Sequence, residues 1–202
     1  MKPQCEPSLR CWKLLAILFG WMGVCLPAIA AELPVDAESL RGVWLERFTQ
    51  FVQWPVGHRV TQADVPFELC VVDDAKFTTL LSVLYAQQTI KGKSVRVHSL
   101  EADSALGHCD LLFLSALPPL SRDAVLNRAG SHAVLVVSAS PGYGAAGSHI
   151  NLYDEGGYLR FEINLDAVQS AGLVVSSRLL AIARVLRNTD SRDDELRKKG
   201  TN

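Results

Sequence analysis

Residues 111–138 read Leu111-Leu112-Phe113-Leu114, a break at Pro118-Pro119, a helical run from Ser121 to Ala129, and then Ala133-Val134-Leu135-Val136-Val137-Ser138. Both apolar segments are continuous rather than alternating. A strand that is apolar at every position is buried on both faces, which is the habit of parallel strands covered by helices on either side. Upstream, Phe67-Glu68-Leu69-Cys70-Val71-Val72 is a strand of the same kind. Asp73 or Asp74 caps a helix from Ala75 to about Ala86. Ser94–His98 alternates as a short strand. Strand and helix therefore alternate, and the expected fold is a single α/β domain with a mostly parallel central sheet and helices on both faces.

The flanks fill in the rest. Val43, Leu45, Phe48, Phe51, Val52 and Trp54 fall mostly at steps of three and four, which predicts a helix over 35–54. Its end is set by Trp54-Pro55, because the residue before proline avoids the helical region. Two strands near 149–153 and 158–164 are joined by Asp154-Glu155-Gly156-Gly157, a hairpin turn. Helices are expected over 165–171 and 176–188, followed by a charged, disordered tail at 189–202.

The chain opens with Lys2, Arg10 and Lys13, then an apolar run from Leu14 to Leu26, then Ala28-Ile29-Ala30. Basic, apolar and small residues in that order mark a secretory signal peptide over 1–30, cleaved near Ala30. The run is short of the roughly 20 residues that span a bilayer. Cys25 raises a lipoprotein reading, but Val24 before it is bulky for such a cleavage site. Removing Lys2, Arg10, Lys13 and Glu6 leaves 17 basic and 20 acidic residues. That balance points neither to nucleic acid nor to an anionic membrane. The exported chain, residues 31–188 and tail, is long enough for one sizeable core.

Of the five cysteines, Cys5, Cys11 and Cys25 leave with the signal, and Cys70 and Cys109 remain. An even count in an oxidising compartment suggests a bridge between two neighbouring core strands. Two buried free thiols are the alternative. No metal site is expected, since no CxxC or histidine pair stands near either cysteine.

Catalytic patterns are weak throughout. Gly142-Tyr143-Gly144-Ala145-Ala146-Gly147 fits the dinucleotide pattern, yet an alternating segment follows where a helix must open. A plain flexible loop accounts for it. His58, His98, His108, His132 and His149 fall in no metalloprotease spacing, and no serine lies in G-x-S-x-G. No enzyme activity and no cofactor are expected. The informative stretch is Arg160-Phe161-Glu162-Ile163-Asn164-Leu165, which places Glu162 and Asn164 on one strand face. Arg178, in Ser176-Ser177-Arg178-Leu179-Leu180, is a plausible ion-pair partner for Glu162. Glu162, Asn164 and Arg178 form either a structural pair between strand and helix or a polar cluster at a ligand or partner site.

Three segments together resemble the YfiR family of periplasmic regulators. They are Glu46-Arg47-Phe48-Thr49-Gln50-Phe51-Val52-Gln53-Trp54-Pro55, Cys109-Asp110-Leu111-Leu112-Phe113-Leu114-Ser115, and Arg160 to Leu165 through Ala171-Gly172-Leu173 to Ser176-Ser177-Arg178-Leu179-Leu180. The resemblance covers about residues 38–188. It implies a non-catalytic α/β protein that represses the periplasmic part of an inner-membrane diguanylate cyclase, so controlling cyclic-di-GMP and biofilm formation. It also implies a homodimer, capture by an outer-membrane lipoprotein, and a supporting disulfide at Cys70 and Cys109. A second cysteine pair of the family has no counterpart, because residues 140–155 contain no cysteine. The competing function is a periplasmic small-molecule-binding protein serving a membrane receptor or transporter.

Overall fold

The computed structural model describes residues 37–187. The expected signal peptide (1–30) and charged tail (189–202) lie outside the described residues. The elements run α1 (Ala37–Phe51), β1 (Val52–Gln53), a 3-10 turn (Arg59–Thr61), β2 (Phe67–Val72), α2 (Ala75–Leu84), β3 (Thr89–Ile90), β4 (Lys93–Leu100), β5 (Leu111–Leu114), α3 (Pro119–Gly130), β6 (Leu135–Ser138), α4 (Tyr143–Ala146), β7 (Ile150–Glu155), β8 (Tyr158–Asn164), α5 (Leu165–Ser170), β9 (Val174–Val175), α6 (Ser177–Leu180) and β10 (Arg184–Leu186).

The apolar runs behave as their composition demands. Every residue of β2, β5 and β6 is buried. They lie side by side in an eight-stranded sheet of order β10-β8-β7-β6-β5-β2-β4-β3. The pairs β4–β2, β2–β5, β5–β6, β6–β7 and β8–β10 are parallel, while β7–β8 and β3–β4 are antiparallel. Alternate side chains of each central strand enter two separate cores. Leu69, Val71, Phe113 and Val137 pack with Leu45 and Phe48 of α1 and Phe77 and Leu81 of α2. Cys70, Leu112, Leu114 and Val136 pack on the other face with Val125, Leu126 and Ala129 of α3. The α/β architecture with helices on both faces is thus observed.

Close packing sets two details of the first layer. Gly42 of α1 crosses α2 so tightly that an added Cβ would stand 2.8 Å from Leu84 and 3.0 Å from Leu81. Tyr85 reaches back over this crossing and donates from its hydroxyl to the Gly42 carbonyl at 2.7 Å. The β7–β8 turn at Gly156 and Gly157 has φ of +62° and +81°, the mirror-image turn whose twist suits a two-residue hairpin.

Three expectations are corrected. The first helix ends at Phe51, not 54: Val52 and Gln53 pair antiparallel with Val174 and Val175, and the Ser176 amide donates to the Phe51 carbonyl. The final helix stops at Leu180 rather than reaching 188. Residues 184–186 instead pair parallel to Glu162–Asn164, because the outer edge of β8 offers main-chain groups that a helix would leave unpaired. The glycine run at 142–147 is an ordered helical turn rather than a flexible loop. Tyr143 is buried within it, accepting from the Leu117 amide at 2.6 Å and donating to the Leu117 carbonyl at 3.2 Å. Gly142 and Gly147 bracket this turn at φ of +78° and +116°, a region closed to most side chains.

Candidate functional site

Glu162 and Asn164 share a face of β8 as the alternation requires, and both are buried. The Asn151 amide donates to Glu162 Oε1 at 3.0 Å. Ser138 Oγ lies 2.8 Å from both Asn151 Oδ1 and Ser148 Oγ. Asn164 donates to the Gly144 carbonyl at 2.8 Å and accepts from the Ala167 amide, which caps α5. Gly144 fills the space before the Glu162 carboxylate: a Cβ there would stand 2.9 Å from Glu162 Cδ. The cluster is therefore a satisfied network that fixes the β7–β8 hairpin and the α4 turn to β6. Arg178 is exposed on α6 and is not among the described ion-pair partners of Glu162. That place is taken by Arg184 of β10, 3.9 Å from Glu162 Oε2. The expected Glu162–Arg178 pair is corrected accordingly, and the cause is the strand that replaces the end of the last helix.

A second polar group surrounds the disulfide. Cys70 and Cys109 are bonded, with Cα atoms 5.8 Å apart and a sequence separation of 39 residues. Glu68, two residues before Cys70, points to the same sheet face and bonds His98 Nε2 at 2.5 Å. Arg59 donates to Asp110 Oδ2 at 2.7 Å and approaches Glu68 Oε1 at 3.4 Å. Asp110 Oδ2 also accepts from the Glu68 amide. Asp110 is fully buried and its Oδ1 has no partner. Burial pushes its carboxyl above the usual range, opposed by the Glu68 amide and Arg59. Burial also lowers His58, against the opposing pull of Asp110. His108 stands beside the bridge, with Nε2 3.8 Å from each sulfur. Arg59, Glu68, His98 and Asp110 were not singled out by their sequence. The available signal was a lone carboxylate inside each of two apolar segments, Phe67–Val72 and Cys109–Leu114.

Two surface features remain. The first is an apolar groove between α1 and α2, a cavity of about 340 Å³ lined by Ser39, Thr79, Leu80, Val83 and Leu84. Val83 is 75% exposed. An ion pair between Lys76 and Glu38, at 3.1 Å, joins the same two helices. The second is a cavity of about 410 Å³ between α1 and the β7–β8 hairpin, with Arg41, Tyr153 and Asp154 in its wall. Arg41 Nε is buried there without a hydrogen-bond partner. No helix among the described residues is long and apolar enough to cross a membrane.

A family model described as YfiR/HmsC-like matches residues 38–184. No curated protein matches the chain. The crystal structure of a conserved domain protein from Vibrio cholerae O1 biovar eltor is similar at a TM-score of 0.54 and 11% identity. The likeness covers 74% of this chain and 60% of that one, so the chain spans less than two thirds of that protein's length. At such identity the likeness concerns the fold.

Proposed function

The chain belongs to the YfiR/HmsC-like family, and from that premise we propose that it is a non-catalytic periplasmic regulator which binds and represses an inner-membrane diguanylate cyclase. Repression lowers cyclic-di-GMP and restrains biofilm formation. An outer-membrane lipoprotein would relieve the block by capturing the regulator, which acts as a homodimer. The observation that carries this reading is the apolar groove between α1 and α2. Exposed Val83 in a concave apolar strip, with a polar pair at its margin, has the layout of an interface core and rim. The Glu162 cluster, by contrast, is satisfied internally.

The energetics are within reach. Moving a membrane partner from mostly active to mostly inactive takes about 5.5 kcal/mol of differential affinity. An interface of roughly 1,200–2,000 Å² supplies enough contact for this.

The test is cyclic-di-GMP in deletion strains. Loss of the gene raises cyclic-di-GMP and surface attachment, and loss of the partner cyclase as well abolishes the rise. Complementation with Val83→Asp should fail to restore repression, although the purified variant melts like the wild type. Equal cyclic-di-GMP with and without the expressed protein would reject the reading.

The second reading is small-molecule binding for a receptor or transporter. The unpartnered Arg41 Nε in the wall of the 410 Å³ cavity favours it. Under that reading Arg41→Ala, rather than Val83→Asp, abolishes signalling.

A further inference from the structure

We propose that Cys70, Cys109 and His108 form a redox-gated zinc site, closed while the disulfide is intact and opened by its reduction. The proposal stands on the geometry around the bridge and is independent of the regulatory reading above.

Three ligand atoms already converge. Cys70 Sγ, Cys109 Sγ and His108 Nε2 all lie within 4.8 Å of one another. His108 Nε2 is 3.8 Å from each sulfur. In a tetrahedral site with zinc–sulfur near 2.3 Å and zinc–nitrogen near 2.0 Å, each sulfur stands about 3.5 Å from the nitrogen. The imidazole is therefore within a few tenths of an ångström of its ligating position. What must change is the separation of the two sulfurs, which opens to about 3.8 Å in the same geometry. Cys109 precedes β5, outside the strand ladder, while Cys70 is held inside β2, so the move falls to Cys109.

The surroundings suit a metal rather than a bare thiol pair. Both cysteines are buried, whereas His108 is exposed, which provides an entry path and leaves a fourth position for water. The His98 ring stands perpendicular to His108 at 5.3 Å and is itself held by Glu68. His98 thus packs edge-on against the ligand imidazole. Thiolate and imidazole donors together are characteristic of zinc.

Both states draw on the same sulfurs, so they exclude each other. Reduction by a dithiol moves two electrons and two protons to Cys70 and Cys109, and the dithiol becomes a disulfide. Zinc then displaces the two thiol protons to solvent and takes both thiolates and the neutral imidazole. Exchange with a disulfide oxidant runs this backwards: the oxidant takes two electrons from the thiolates and two protons from solvent to become a dithiol, the bridge closes and zinc leaves.

The experiment uses the mature full-length protein, wild type and His108→Ala, which leaves both cysteines intact. Each is reduced with dithiothreitol, desalted without oxygen, and titrated with zinc against a chromophoric chelator. Cobalt substitution follows as a spectroscopic probe. The expected result is one zinc per reduced wild-type chain and none per oxidised chain. His108→Ala should bind about 100-fold more weakly or worse. Cobalt in the reduced wild type should show thiolate charge-transfer and tetrahedral bands. Should reduction unfold the chain, zinc is expected to restore its circular dichroism in the wild type but not in His108→Ala. Equal binding by oxidised and reduced protein, by wild type and His108→Ala, or a reduced chain that stays unfolded with zinc, would overturn the proposal.

Discussion

Gly144 has no room for a methyl group. Its Cβ would meet Glu162 Cδ at 2.9 Å and Cγ at 3.0 Å. Glu162 cannot swing aside freely, since Asn151 holds its carboxylate on a buried face. Gly144→Ala should therefore cost about 1–3 kcal/mol by overpacking, read as a lower urea midpoint at unchanged slope. His149 carries a different constraint. It is buried, and its Nδ1 accepts from the Val136 amide at 3.0 Å. Burial lowers its pKa to about 4, from an ordinary value of 6.5. The unfolded chain takes up a proton near pH 6.5 and the folded chain only near pH 4. The stability tied to neutral His149 is thus whole above pH 6.5 and is lost as pH falls towards 4. The loss is on the order of 3 kcal/mol. His149→Asn keeps an acceptor for Val136 without the titration. Its stability should be flatter than the wild type's between pH 7 and 4, and parallel curves would contradict the assignment.

At the scale of elements, the ends of strands and helices are tied by single side chains. Asp74 accepts from the Phe77 amide at 2.9 Å and so caps α2. Its other oxygen accepts from Ser115 Oγ at 3.0 Å, just past β5. One carboxylate fixes a helix start and a strand end together. Asp74→Ala should cost about 1–2 kcal/mol, and Asp74→Asn, which keeps the cap acceptor, should cost less in the same thermal melts. At the opposite end of the fold, α6 is a single turn capped by Ser176, and β10 follows it. Arg178 consequently faces solvent, and Arg178→Ala should shift stability by less than about 0.5 kcal/mol. A loss of several kcal/mol would mean that Arg178, and not Arg184, is the partner of Glu162.

For the whole molecule, the disulfide joins the two halves of the sheet's centre. The bonded cysteines are 39 residues apart, a loop whose closure is worth about 4 kcal/mol in the chain-entropy account. Replacing both cysteines by alanine should lower stability by about that amount, measured by denaturant unfolding with and without reductant. A double variant as stable as the oxidised wild type would show that the bridge adds nothing to the core that packs around it.

What the sequence determined by itself is what repeats locally. The continuous Val and Leu runs of β2, β5 and β6, alternating with helical segments, fit a covered parallel sheet, so the α/β class was legible in the sequence. Adjacent glycines named the β7–β8 turn for the same reason, since the turn needs positive φ at both. Tertiary structure decided whatever depended on a distant partner. Val52 and Gln53 became a strand because Val174 and Val175 lie alongside. Residues 184–186 left their helical pattern for the unpaired edge of β8. Asp110, Glu68 and Arg59 met only because β2 and β5 are neighbours. His108 gained its place facing both sulfurs through that same pairing, although its chain position beside Cys109 was visible from the start. Periodicity records the faces an element must bury; it carries no record of which main-chain edge or buried charge another element will satisfy, because those partners are set by the closing of long loops rather than by neighbours in the chain.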